Sequence, residues 1–408
     1  MAAFRGAERR HQRFPGLWTT PPWTAWRCQA DGVSETSHPL MPAATPVLRH
    51  PDGSLRIGGV DSTEGLRLAP GVPWLAELVR GLDGRRSRRT VLADATGAGQ
   101  DAAVVAELLD RLRATGLLVD LEPADLLAAE PGPAAAARTA PELADGVGPG
   151  RSGPRWWVRR AATVVVDGAT RVGTPLAAVL AASGVGRVSV RDTGLTAAGD
   201  AVVGGLTAAD EGRPRTVAAA DAVRQASPLA DVRPPADGRA DVVVLTRAWA
   251  MSDPLVRGLQ REGVPHLVAT VRGRTGVVGP LVVPGSTSCL GCADLHRRDA
   301  DADWPLLAPQ LTATEPPPAG STTTCLLTAV TGALQVLAYL DGTAAPAVLG
   351  ATLELRPPDP LPRLRRWPEH PACGCTTVPD AQATGAAEFP DGVSWALPPE
   401  RADGGGSQ

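Results

Sequence analysis

The chain of 408 residues contains no lysine and no asparagine, so all 40 of its basic residues are arginine. The simplest cause is a GC-rich genome, but the chemical consequence holds whatever the cause. A P-loop lysine, a Schiff-base lysine and any asparagine-dependent phosphate or metal contact are excluded. Strong basicity is absent too: the formal net charge is −3, which gives no global attraction for nucleic acid. No apolar run looks long enough to span a bilayer, and the Arg- and Trp-containing N-terminus lacks the apolar centre of a signal peptide. A cytoplasmic protein with no membrane partner is the expectation.

Of six cysteines, four fall in two short knuckles, Cys289-Leu290-Gly291-Cys292 and Cys373-Gly374-Cys375, 81 residues apart. Two residues between thiolates let both reach one ion from a single turn. The pattern predicts a structural zinc held by Cys289, Cys292, Cys373 and Cys375, fastening the end of a domain onto its middle. Four thiolates leave no open position for a water, which argues against catalytic zinc. His370 is the alternative fourth ligand, a disulfide pairing the alternative chemistry. Cys28 reads as an unpaired thiol and Cys325 as a small core residue.

Residues 1–40 mix Arg, Trp, Pro and Gly without period and read as disordered; Met41 opens a regular pattern, and a translation start there would fit. Residues 41–122 read as a small domain. Val47-Leu48-Arg49 and Leu55-Arg56-Ile57 flank an Asp52-Gly53 turn, a hairpin signal, and Gly65-Leu66-Arg67-Leu68 supplies a third strand. Helical spacing follows through Trp74, Leu75, Leu78, Val79 and Leu82, around Thr90 to Leu92, and through Val104, Val105, Leu108, Leu109, Leu112 and Leu117. Strands followed by three helices predict a winged helix-turn-helix module. Its Arg85-Arg86-Ser87-Arg88-Arg89 run could meet DNA phosphates, though a solvated loop explains it more simply. A third use is capture of an extended peptide, which adds a strand beside Gly65, Leu66, Arg67 and Leu68 and rests apolar side chains on the helix at Val104, Val105, Leu108, Leu109 and Leu112.

Residues 123–155 are rich in Ala, Pro and Gly and read as a linker, ending at Trp156-Trp157, expected as packing anchors. From 156 to 376 the pattern is α/β. Thr163-Val164-Val165-Val166 is a buried parallel strand, followed by a glycine turn through Gly168, Thr170 and Gly173, a helix, and a strand from Gly184 to Asp192. Strand, glycine turn, helix, strand and acid is the dinucleotide-binding order, with Asp192 placed 19 residues beyond Gly173. Further strands are expected at Asp241–Thr246 and His266–Thr270, with helices at Pro254–Glu262 and across 321–341. The tail 377–408 reads as disordered.

Gly184-Val185-Gly186, Val190-Arg191-Asp192, Gly276-Val277-Val278-Gly279-Pro280 and above all Pro284-Gly285-Ser286-Thr287-Ser288-Cys289-Leu290-Gly291-Cys292 resemble the Rossmann-like ThiF/MoeB adenylating fold, shared with ubiquitin-activating enzymes. With the preceding winged-helix module and the His370-Pro371-Ala372-Cys373-Gly374-Cys375 ending, the chain is similar to the leader peptide-binding partners of cyclodehydratases that make thiazole/oxazole-modified (TOMM) peptides. The resemblance implies a zinc clasp, a homodimer, a precursor leader peptide as ligand and a YcaO-type cyclodehydratase as the ring-forming partner in this bacteriocin-type biosynthesis. It also implies what an active adenylating member would need, and several of those groups are missing. Thr170 stands where a middle glycine would admit the pyrophosphate, and Gly194 where a second acid would follow Asp192. No Asn or Lys reaches the triphosphate; Arg213 or Arg215, with Arg171, is the nearest substitute. No acid follows the strand ending at Thr246 until Asp253. A non-catalytic scaffold without ATP is therefore the leading expectation. The alternatives are an ATP-dependent adenylating enzyme acting on a peptide or sulfur-carrier C-terminus, and a winged-helix DNA-binding regulator.

Overall fold

The structure is a computed structural model. It describes residues 35–60, 65–68, 74–128, 139, 141–143, 156–236, 238–249, 253–313, 320–342, 344–359 and 361–376. The expected disordered segments, Cys28 included, lie outside the described residues except at their inner edges.

One of those edges corrects the sequence reading. Residues 38–40, taken as disordered, form strand β1 (His38–Leu40), which pairs antiparallel with β5 (Val119–Leu121). A three-residue strand containing Pro39 leaves no period to detect, and its partner lies some 80 residues away. Between them β2 (Val47–Arg49), β3 (Leu55–Gly58) and β4 (Gly65–Leu68) make an antiparallel sheet in that order, so among the described residues β4 is an edge. The Asp52-Gly53 turn is as expected, with Gly53 at φ 81° and the Asp52 carboxylate accepting from Ser54 N at 2.8 Å.

Helices α1 (Trp74–Arg80), α2 (Arg88–Gly97) and α3 (Ala102–Ala114) cover one face of this sheet. Ser87 caps α2 and Asp101 caps α3, each accepting a backbone N–H of the first turn. Ile57, Val79, Val105, Leu109 and Leu112 are at most 1% exposed and form the centre of the module's core. The stretch expected to be a linker contains helix α4 (Pro123–Ala128), and Asp125 accepts from Trp157 N at 3.3 Å.

The second body begins at α5 (Trp156–Ala161). Parallel strands β6 (Thr163–Asp167), β7 (Arg187–Arg191), β8 (Val242–Leu245) and β9 (His266–Arg272) are joined by α6 (Gly173–Ala182), α7 (Arg215–Ala226) and α8 (Pro254–Arg261). The sheet then continues antiparallel through β10 (Thr275–Val282), β11 (Ala351–Leu355) and β12 (Arg363–Arg366), in the order β12-β11-β10-β9-β8-β6-β7. Both faces are apolar, which is why the strands read as unbroken runs. Val165, Val243 and Leu245 face α8 and α9 (Leu290–Ala300). The short α10 (Trp304–Leu307) and α11 (Gln310–Ala313) follow in the chain, and Val164, Val166, Val242 and Val244 face α6 and the later helix α12 (Thr322–Asp341).

Contrary to the sequence reading, one segment, α12, is long and apolar enough to cross a membrane by length and composition. Its apolar stretch is interrupted by threonines that blur the run, and half of the window is buried. Thr328 turns its hydroxyl back onto Thr324 O at 2.7 Å, and Ala329, Ala333 and Val336 are wholly buried against the sheet.

A buried ion pair ties the start of this body to the end of α12. Arg159 grips Asp341 through Nε at 2.8 Å and a terminal nitrogen at 2.6 Å, with both side chains almost fully enclosed. Removing one partner strands the other charge out of water, at a cost of about 3–5 kcal/mol. Asp341→Ala is expected to lower the urea unfolding free energy by that order. The paired change Arg159→Met with Asp341→Leu should recover most of the loss; failure to recover would show that the pair does more than compensate its own burial.

Candidate functional site

At the C-terminal end of β6 the chain turns through Gly168 (φ 109°) into α6. A side chain at Gly168 would meet Arg247 Cγ and Thr246 Oγ1, both at 2.7 Å, and one at Gly173 would strike the Gly168 carbonyl. Both positions therefore need glycine, as the motif implied. Between them the hydroxyl of Thr170 accepts from Gly173 N at 2.9 Å and Val172 N at 3.3 Å, and donates to Thr246 Oγ1 at 3.2 Å. Free N–H groups at such a helix start are what a phosphate oxygen would use. Here the protein's own hydroxyl takes two of them.

The side chain of Asp192, the expected ribose ligand, is 1% exposed. One carboxylate oxygen accepts from Ala169 N at 2.8 Å and pairs with Arg247 at 3.1 Å; the other accepts from Gly194 N at 2.9 Å and lies 3.8 Å from Arg215. The arginines expected to stand in for triphosphate cations are likewise committed within the protein. Arg215 pairs with Asp200 at 3.0 Å, Arg213 bonds Asp221 at 2.6 Å and contacts Asp210, and Arg171 donates to Thr322 Oγ1 at 3.1 Å. The sequence could not reveal this, because Asp200, Asp210 and Asp221 lie in segments without a motif. Where the sequence analysis looked for a magnesium-binding acid, Thr246 donates to the Asp167 and Gly168 carbonyls at 3.0 and 2.9 Å, and Arg247 follows. Asp253 instead caps α8, accepting from Leu255 N at 2.9 Å. Burial pushes the Asp167 carboxyl up, opposed by Arg191 and Arg247.

The four cysteines do converge. Cys289 precedes α9, Cys292 sits in its first turn, and Cys373 and Cys375 come from the chain beyond β12. Their sulfurs all lie within 4.8 Å of one another, with Cys289 and Cys373 at 3.6 Å and Cys292 and Cys375 at 3.4 Å. Those separations are far beyond an S–S bond of about 2.05 Å. They are close to the roughly 3.8 Å edge of a tetrahedron whose centre is about 2.3 Å from each sulfur. A metal ion such as zinc fits this set. Burial pushes the Cys289 thiol up to about 12 and raises that of Cys375 as well, so four adjacent thiolates need a cation to coexist. His370, the alternative ligand, is occupied: Nε2 meets Asp299 at 2.7 Å and Nδ1 accepts from Ala372 N at 3.1 Å.

In the small module, Gly65 and Arg67 on β4 face solvent, while Leu66 and Leu68 are half-buried against the core. Among the described residues β4 pairs only with β3, through Gly65 to Leu68. The helical positions divide sharply. Val105, Leu108, Leu109 and Leu112 are at most 3% exposed and pack inward on β3 and α1, whereas Val104 is 43% exposed. The five were chosen as one apolar set, but a core and a docking surface draw on the same residue types. Only Val104 is open to a ligand without unpacking the core. Of the arginine run, Arg86 pairs with Asp94 at 3.0 Å, Arg88 with Asp110 at 3.0 Å and Arg85 with Asp83 at 3.7 Å, so much of its charge is balanced within the module.

Sheet order and glycine turn together define a Rossmann-like α/β fold, which also carries the sulfur cluster. No family model and no curated protein matches the chain. Among solved structures it is similar to MccB of E. coli. In complex with ATP, that protein is 16% identical with TM-score 0.53, covering 83% of this chain and 99% of MccB. The microcin C7 biosynthetic enzyme MccB with N-formylated MccA gives 15%, 0.54, 83% and 99%, and MccB alone gives 16%, 0.55, 84% and 99%. At this identity the likeness is one of fold.

The sulfur cluster generates a direct check. Purified protein should carry about one equivalent of zinc by elemental analysis, and exhaustive chelation should lower the melting temperature reversibly. Cys292→Ser should lose stoichiometric metal. A metal-free protein with an unchanged melting temperature would remove the cluster's structural role.

Proposed function

We propose that this protein is a non-catalytic scaffold that binds the leader of a ribosomally made precursor peptide. It would present that peptide to a YcaO-type cyclodehydratase that forms thiazole or oxazole rings. In this reading residues 41–122 are a winged-helix recognition element, residues 123–155 a connector, and residues 156–376 a ThiF-like domain with a structural zinc that pairs with a second copy. The leader extends the sheet along β4 and rests on the open face of α3 around Val104.

The observation that carries the reading is the contrast between two sites. At the glycine turn Thr170 caps the start of α6 and Arg247 pairs with Asp192, while among the described residues β4 is an edge. An adenylating enzyme must accommodate a triphosphate and its metal where charge develops during transfer. Here the helix start is already capped and the expected metal-binding position carries Thr246 and Arg247. The similarity to MccB, whose structures include complexes with ATP and with MccA, favours a peptide ligand. It also keeps adenylation as the rival to be tested.

Titration of the full chain with a labelled leader peptide encoded beside its gene should saturate in the micromolar range. Val104→Glu, at an exposed position, should weaken binding at least about tenfold, since an unpaired carboxylate would have to be desolvated, while Arg85→Glu should not. Absence of saturable binding at high micromolar peptide would sink the scaffold reading. Magnesium-dependent exchange of pyrophosphate into ATP would establish the adenylating one.

A further inference from the structure

The described residues hold a second concentration of charge and aromatic rings, on the chain after β8, at the end of β9, on α9 and on β12. Arg272 at the end of β9, Arg297 on α9 and Arg365 on β12 gather around Trp249, Trp304 and Trp367. The Cζ of Arg297 lies 5.7 Å from the Trp249 ring centre, 5.5 Å from that of Trp304 and 4.7 Å from that of Trp367. Arg272 lies 5.9 Å from Trp249, and Arg365 lies 4.1 Å from Trp367. Each of two rings therefore carries two guanidinium groups.

What this cluster lacks is an acceptor. A guanidinium presents five N–H donors. Among the described residues the guanidiniums of Arg272 and Arg365 have no hydrogen bond and no ion pair, and Arg297 has only Asp294 at 4.0 Å. An oxygen of that carboxylate is already taken by Trp304 Nε1 at 2.6 Å. Trp249 Nε1 is a further buried donor with no partner. Burial and the neighbouring Arg272 lower Arg297 to about 10, with Asp294 opposing and Arg365 adding to the repulsion; burial lowers Arg272 also.

Magnitudes decide between a structural stack and a binding site. A guanidinium over an aromatic face gains about 0.5–2 kcal/mol. Withdrawing an ion from water costs several kcal/mol, which stacking without hydrogen bonds does not offset. Arg272 and Arg297 are partly buried like charges beside one carboxylate, with the exposed Arg365 adjoining them; an anion would offset their repulsion, and stacking leaves the in-plane N–H edges available for a planar bidentate acceptor.

The geometry points to an oxyanion-binding site formed by Arg272, Arg297 and Arg365 against Trp249 and Trp367, taking a carboxylate or a phosphate group. It lies outside the β4 edge assigned to the leader, so it stands or falls separately from that proposal.

The test is thermal unfolding of the full chain at fixed ionic strength, with inorganic pyrophosphate in one arm, a blocked diglutamate peptide in the other and chloride as the reference. A ligand that binds only the folded state raises the melting temperature with its concentration. At least one arm should give a saturable rise above chloride, and the arm that responds identifies phosphate or carboxylate as the source. Arg365→Gln, on the exposed edge strand, should shift the half-saturating concentration upward at least about fivefold, and Arg272→Gln should abolish the response. No rise above chloride in either arm, or a rise that Arg365→Gln leaves unchanged, would overturn the assignment.

Discussion

Four sulfurs brought within 4.8 Å of one another, from knuckles 81 residues apart, are the constraint on which the outer half of the large sheet depends. Among the described residues β12 is an edge strand, with all four of its residues exposed, so little apolar burial holds it in place. What holds the segment beyond it is the return of Cys373 and Cys375 to the start of α9. That return also carries Trp367, whose Nε1 bonds Thr352 at 2.8 Å, and His370, which bonds Asp299. A long loop closed by a strong local link costs only slightly more entropy than a short one. One ion could therefore organise a region that the hydrophobic core reaches weakly.

The inner half is organised differently. There the parallel strands deliver Gly168, Asp192 and Thr246 to one end of the sheet, the end where folds of this class hold ligands. Many of the polar groups at that end are satisfied internally, although Arg171 Nε, Arg247 Nε and Thr174 Oγ1 are buried without a hydrogen-bond partner. Backbone N–H groups bond Thr170 and Asp192, and arginines pair with aspartates contributed by the turns before α7. At this end of the sheet many groups are positioned around each other, and each pairing lowers the cost of their burial.

Much of this was legible in the sequence because strong local signals carried it. The strand runs, the Asp-Gly hairpin, the helical spacings and the cysteine knuckles each depend on residues near one another in the chain. What stayed hidden was non-local. The β1 and β5 strands are three residues each and have no meaning apart. β11 and β12 carry mixed patterns because one is covered and the other is not. The apolar set on α3 could be recognised as a stripe, yet whether a stripe faces a core or a partner depends on what packs against it. Arg215, Arg247 and Arg297 look alike in sequence, and only the fold separates one paired with Asp200, one laid against Gly168 and one stacked on tryptophan.

The hydroxyl of Thr170 ties that position to Arg247. Changing Thr170 to glycine would remove two hydrogen bonds from the start of α6 while leaving Arg247 pressed against Gly168. Replacing Arg247 alone would deprive the enclosed side chain of Asp192 of a counterion. Either single change loses stability, so neighbours in one network tolerate joint substitution more readily than replacement one at a time.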